Sequence, residues 1–303
     1  MLRSDTFRSL TFALFALPAL LGGGIILSQP ATALVRQDDK KQDEKKLDDK
    51  KVDEKKDDTA YSLKRVYTKG DKSRYKTTMT VKSDKSELSG GAAISVVLLE
   101  KVTKVDNEGG VTLAMEFEEA NAKLGDNELD MSSMMPKITR TLDAKGNTLK
   151  IDSEGGSGPL SGTDNNQTAM FINTQANYLP EKAIKVGDTW EYEFNAPGSD
   201  SKSNTPKAKG KATLIGKEMF KGIETLRIKT EAEADLPKSN PAGAGKMKMM
   251  MMNLVEIGTG RPVKIEGTIS GNASQFGNAT MEIKTELVTD ADKKTPKDVK
   301  TKE

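Results

Sequence analysis

From about residue 60 to residue 290 apolar and polar positions alternate with a period of two. Tyr75, Thr77, Met79 and Val81 alternate with Lys76, Thr78, Thr80 and Lys82. Val111, Leu113, Met115 and Phe117 alternate with Thr112, Ala114, Glu116 and Glu118. Trp190, Tyr192 and Phe194 flank Glu191 and Glu193, and Met281, Ile283, Thr285 and Leu287 flank Glu282, Lys284 and Glu286. This pattern predicts strands with one buried face and one wet face. It predicts antiparallel pairing, because parallel strands covered on both sides read as continuous apolar runs. The segment Ile94-Ser-Val-Val-Leu-Leu99 comes nearest to such a run and is expected to be a central strand.

Turn chemistry separates these segments. Asp106-Asn-Glu-Gly-Gly110, Asp143-Ala-Lys-Gly-Asn147 and Gly258-Thr-Gly260 each sit between two strand patterns and predict hairpins. The pieces also recur. Gly70-Asp71 followed by Tyr75 lines up with Gly187-Asp188 followed by Tyr192, 117 residues later. Gly146-Asn-Thr-Leu-Lys-Ile151 lines up with Gly260-Arg-Pro-Val-Lys-Ile265, 114 residues later, and the hairpin end at Gly110-Val111 with Gly222-Ile223, 112 later. Three landmarks in one order suggest a duplicated unit. The expected fold is therefore mainly β and antiparallel: two similar β-rich repeats forming a curved sheet, clam or sandwich. A short helix is expected near the junction, over 164–178, where Ala169, Ile172 and Ala176 recur at helical spacing with Asp164 as N-cap. Residues 196–208, rich in Pro, Gly, Ser, Asn and Lys, read as a long loop.

Both ends have a different character. Residues 1–33 read as a secretory signal peptide: Arg3 and Arg8 precede an apolar stretch from Phe12 to Leu27, and Ala31-Thr-Ala33 supplies a small-x-small cleavage pattern. Pro18 and Gly22 to Gly24 interrupt that stretch, against a membrane anchor. Residues 34–60 repeat acidic and basic pairs every five positions, a period that suits neither helix nor strand, and read as a charged, disordered linker. Residues 290–303 read as a similar disordered tail. The body then divides into a first repeat with its junction helix, 61–178, and a second repeat, 179–289. The expectation is export to the periplasm or medium after cleavage near Ala33, with no integral membrane segment once processed.

Composition removes several chemistries. The 303 residues contain no Cys and no His, which excludes disulfides, thiol nucleophiles, a Ser-His-Asp triad and His-ligated zinc. Lys and Arg number 47 against 45 Asp and Glu, so no strong field for nucleic acid arises. The Gly-rich stretches match neither the P-loop nor the dinucleotide fingerprint, so no cofactor is expected.

The segment from Leu179-Pro180 to Val186-Gly187-Asp188-Thr189-Trp190 resembles a recurrent segment in an uncharacterised family of exported bacterial β-proteins. Chains of that kind also open on a phrase like Tyr67-Thr-Lys-Gly70-Asp71 followed by Tyr75. The likeness covers most of residues 61–290, but its motifs mark the starts of strands, so no functional residue follows from it. In order of strands and helix the chain is also similar, more weakly, to periplasmic lipoprotein carriers, whose curved sheet encloses a hydrophobic cavity.

Two features remain as candidate sites. Asp71 and Asp188 read as turn residues that bond their own backbone rather than as paired acid and base. Met247 and the run Met249, Met250, Met251 and Met252 stand out, with Met134 and Met135 in the corresponding place of the first repeat. Thioethers fill cores short of aromatics, form adaptable apolar surfaces, or bind Cu(I), the last disfavoured here without His or Cys. Trp190, the only tryptophan, is expected to anchor the core of the second repeat. The expected function is non-enzymatic: a binding module for an apolar or envelope-associated ligand, the alternative being a structural envelope protein without a small ligand.

Overall fold

The computed structural model describes residues 59–84, 91–125, 127–144, 146, 148–155, 179–194, 208–236, 245–273, 277–289 and 292. The expected signal peptide, the junction helix, residues 196–207, the linker up to residue 58 and the tail apart from Asp292 lie outside them. Among the described residues, no helix is long and apolar enough to cross a membrane.

Alternation builds the strands. In chain order they are β1 (Lys72–Ser83), β2 (Ala92–Val105), β3 (Val111–Leu124), β4 (Asn127–Asp130), β5 (Lys137–Leu142), β6 (Thr148–Glu154), β7 (Thr189–Phe194), β8 (Ala208–Phe220), β9 (Ile223–Leu236), β10 (Gly245–Glu256), β11 (Pro262–Ala273) and β12 (Gly277–Leu287). All belong to one antiparallel sheet in the order β6-β5-β3-β2-β1-β12-β11-β10-β9-β8-β7, with β4 beside the far end of β3. The sheet is not closed, and β6 and β7 form its edges. Its two halves join where β1 pairs with β12, the first described strand with the last. The hairpins expected at Asp106–Gly110, Asp143–Asn147 and Gly258–Gly260 connect β2 to β3, β5 to β6 and β10 to β11. The Ile94–Leu99 run lies in β2, an interior strand, as expected.

The two Gly-Asp turns share one hydrogen-bond pattern. Gly70 N–H donates to Val102 O (2.9 Å), and Val102 N–H returns to Asp71 O (2.9 Å). Gly187 N–H donates to Leu214 O (2.8 Å), and Leu214 N–H returns to Asp188 O (3.0 Å). Each Asp N–H also closes a tight turn, Asp71 on Thr68 O and Asp188 on Lys185 O, both at 3.0 Å. Each turn thus clamps the start of one strand to its neighbour.

Residues paired across neighbouring strands point to the same side of the sheet. One such row runs Ala232–Met249–Ile269–Met281–Val81–Ala92 across six strands, and all six are buried. The next positions along each strand, including Glu231, Lys248, Glu282 and Lys82, carry the charges of the opposite face. Ion pairs such as Lys248–Glu233 (3.8 Å) and Lys82–Glu282 (3.9 Å) lie there in water, where each adds little to stability.

A strap of irregular chain, 59–67, crosses the buried side. Tyr61 and Ile184 exchange backbone hydrogen bonds of 2.7 and 2.9 Å, and Val66 N–H donates to Thr259 O (2.8 Å). Leu63 packs into one core cluster with Ile184, Tyr192, Leu214, Leu226, Ile228 and Val255. Tyr67 packs on another, built from Leu98, Val102, Val111, Leu113, Met115, Ile138, Leu142 and Ile151. The strap therefore ties the core of the β7–β10 half to that of the β2–β6 half.

Candidate functional site

The methionine run lies on β10, and a strand's period of two splits it. Met247, Met249 and Met251 are buried, while Met250 and Met252 are half-buried on the opposite side. Met134 and Met135 are partly buried against a cluster of Val96, Ala120 and Met131. That cluster sits on β2 and β3, with β1, β12 and β11 between it and β10. With Met247 also on the buried face, the other six methionines thus occupy three places. Met249 and Met251 share the buried face, Met250 and Met252 the other, and Met134 and Met135 a separate cluster.

The buried face around β10 mixes flexible methionines with very small residues. In one row Thr230, Met251, Gly267, Ile283 and Met79 are aligned, and in another Ala234, Met247, Gly271 and Ala279. At Gly267 the β10 backbone comes close: an added Cβ would run into the Met250 carbonyl and stand 2.7 Å from both Met251 Cα and Met251 Sδ. Further along the strands comes a polar belt. Asn253 Nδ2 donates to Ile228 O (3.3 Å) and Thr230 Oγ1 (3.2 Å), and the Thr77 and Thr285 hydroxyls pair at 2.9 Å.

Beyond that belt lies a buried ionic cluster that alternation alone does not reveal. Val96, Leu98, Glu100 and Val102 share one phase of β2, so Glu100 is carried into the core and is 6% exposed. On β5, Arg140 stands between Ile138 and Leu142 in the buried phase and is 7% exposed. Arg65 reaches in from the strap. Its Nη2 lies 3.5 Å from Glu100 Oε1, and its guanidinium stacks on the Tyr67 ring, 4.9 Å from the centroid. Arg140 Nε donates to Thr148 Oγ1 (2.9 Å). Arg65 Nη1 is buried without a hydrogen-bond partner among the described residues. Burial pushes the Glu100 carboxyl above its usual range, against the pull of Arg65, Arg140 and Arg261. Burial likewise pushes Arg140 below the usual guanidinium range, aided by the charge of Arg65 and opposed by Tyr67 and Glu100. Arg65 goes the other way: burial disfavours its charge, but Tyr75, Tyr67 and Glu100 outweigh the penalty.

Other expected residues stay at the surface or in ordinary packing. Asp71 and Asp188 are exposed at the starts of β1 and β7, with five strands between them in the sheet. Asp188 Oδ2 accepts from Lys185 N–H (2.8 Å), the turn role its sequence implies. Trp190 is partly buried against the Tyr192–Leu214 cluster. A groove of about 880 Å³ runs along the ends of β1, β9, β10, β11 and β12, lined by Met247, Ala234 and Ala279 and ringed by charged side chains such as Lys82, Asp84, Glu233 and Lys248.

No protein-family model matches the chain, and no curated protein matches it. Among solved structures, the chain is similar to the structure of DynF from the dynemicin biosynthesis pathway of Micromonospora chersina. The identity is 9%, with 76% of this chain and 84% of that chain covered and a TM-score of 0.21. A score this low carries no argument about fold or function.

Proposed function

We propose that the protein is a non-catalytic binding module that holds an apolar, chain-like ligand on the buried face of its sheet. The observation that carries this reading is the belt around β10, where Met247, Met249, Met251 and Met281 are interspersed with Gly267, Gly271, Ala232, Ala234 and Ala279. Unbranched thioethers beside small residues form an adaptable surface that repacks around a guest. In the same reading β1–β6 and β7–β12 descend from one unit, supported by the matching bonds of the two Gly-Asp turns. The test is native mass spectrometry of the protein purified from its own source, before and after extraction with organic solvent. The expected result is a bound apolar mass that extraction removes. A clean apo mass in both samples contradicts it.

The placement of Met251 over Gly267 favours a second reading, a structural envelope protein whose methionines only fill its core. That reading predicts the apo mass.

A further inference from the structure

The core beside β2 and β5 carries more positive than negative charge. Among the described residues, Arg65 and Arg140 face the single carboxylate of Glu100. Arg261, the next cation within electrostatic reach of Glu100, is already bound to Glu256, with its Nη2 and Nε both 3.0 Å from Oε2. The remaining described neighbours, Tyr67, Tyr75, Ser73 and Thr148, bring no formal charge, although the Tyr67 and Tyr75 hydroxyls share hydrogen bonds with Arg65. A buried guanidinium without a full set of acceptors is costly, and a fold that keeps one there is open to an added anion. The match for a guanidinium is a planar carboxylate, which takes two parallel N–H donors.

We propose that Arg65 and Arg140 form a binding site for the carboxylate head of an amphiphilic ligand whose apolar chain lies along the methionine belt. This deepens the binding-module reading and rests on it. The geometry suits such a molecule. Along β2, Glu100 lies six residues from Ile94, which shares a row with Met79 and, through β12 and β11, with Met251. At about 3.4 Å per residue this is roughly 20 Å along the strands, the reach of a long acyl chain, and it ends at Met79, the near edge of the belt; Met251 lies three strands further across the sheet. The polar belt of Thr77, Thr285 and Asn253 lies between the two ends. Arg65 reaches the cluster from the strap, outside the paired strands. Its unpartnered Nη1 donates to the incoming carboxylate, while Glu100 competes for the same guanidinium.

Calorimetric titration of the full chain with palmitate and, separately, with hexadecanol tests this. The two probes share a chain and differ in the head. The wild-type protein should bind palmitate about ten- to a hundred-fold more tightly, the range of one or two charge-assisted hydrogen bonds. Arg140→Gln and Arg65→Gln should bring that ratio close to one. Glu100→Gln should strengthen palmitate binding, since it removes the competing carboxylate. If an arginine variant fails to fold, the wild-type ratio and Glu100→Gln decide. Equal affinity for the two probes, or weaker palmitate binding by Glu100→Gln, overturns the carboxylate site and leaves the apolar reading standing. Binding of neither probe overturns both.

Discussion

The Lys64 carbonyl crosses the strap directly over Gly260: a Cβ placed on Gly260 would stand 2.6 Å from Lys64 O and 2.9 Å from Arg65 N. Gly260 also has φ +63°, a left-handed conformation that side chains disfavour. Gly260→Ala therefore strains its own backbone and lifts the strap. The expected loss is about 2–4 kcal/mol of unfolding free energy, with faster proteolysis near residues 59–67. Gly258→Ala is the control. Gly258 also has positive φ (+94°) but nothing within 4 Å of the added methyl, so the expected loss is only about 1–2 kcal/mol. Urea denaturation of the two variants checks the difference, and equal losses would show that the strap does not press on the hairpin.

The raised Glu100 carboxyl gives a pH dependence of definite sign. An acid whose folded pKa lies above its unfolded value costs stability only when ionised. This contribution therefore falls as pH rises from the ordinary Glu value, about 4.3, towards the raised one. Asp292 acts in the opposite sense, since its lowered pKa removes stability as pH falls. Comparing wild type with Glu100→Gln at each pH cancels that background. The stability of wild type relative to Glu100→Gln should decline as pH rises through this window. Parallel curves would show that Glu100 titrates as an exposed acid does.

The split methionine run gives a packing prediction. Met251 is 4% exposed, so Met251→Ala should cost about 2–4 kcal/mol, the usual range for emptying a core position. Met250→Ala, on the opposite and less covered side, should cost less than about 1 kcal/mol. Under mild peroxide Met219, 59% exposed, should be oxidised before Met249 or Met251. Peptide mass mapping reads the order.

A second polar knot ties the end of the sheet to the β8–β9 hairpin. Asp292 accepts from Thr289 N–H (2.7 Å) and from Lys221 Nζ (2.9 and 3.0 Å), which hold its carboxyl at a pKa of about 2. The backbone bond is the larger cause. Lys221→Ala should therefore raise the Asp292 midpoint only part of the way towards the ordinary value. An NMR titration of the side-chain carbonyl measures it, and a complete return to the ordinary value would mean the lysine carries the whole effect.

The strands were legible because alternation is local. The Tyr75–Val81, Val111–Phe117 and Met281–Leu287 patterns all mark strands, and three glycine-bearing turns mark hairpins. Sheet order was not legible, since nothing local tells β12 to pair with β1 across some two hundred residues. The ionic cluster was hidden for the same reason. Arg65, Glu100 and Arg140 lie on a strap and two separate strands. A signal was nevertheless present: Glu100 follows Val96 and Leu98 in the apolar phase, and Arg140 stands between Ile138 and Leu142 in it. A charge at a buried strand position implies a partner or a ligand. The methionine run misled by its contiguity. Consecutive residues on a strand face opposite ways, so four methionines in a row form two half-sites.

The most direct test of the account is photo-crosslinking with a diazirine-bearing hexadecyl probe, followed by peptide mapping. The binding-module reading predicts label on the buried-face methionines of β10 and β12, Met249, Met251 and Met281, and its loss when excess unlabelled palmitate is added. Label confined to exposed apolar residues such as Met219 and Leu149, unaffected by competitor, would contradict it.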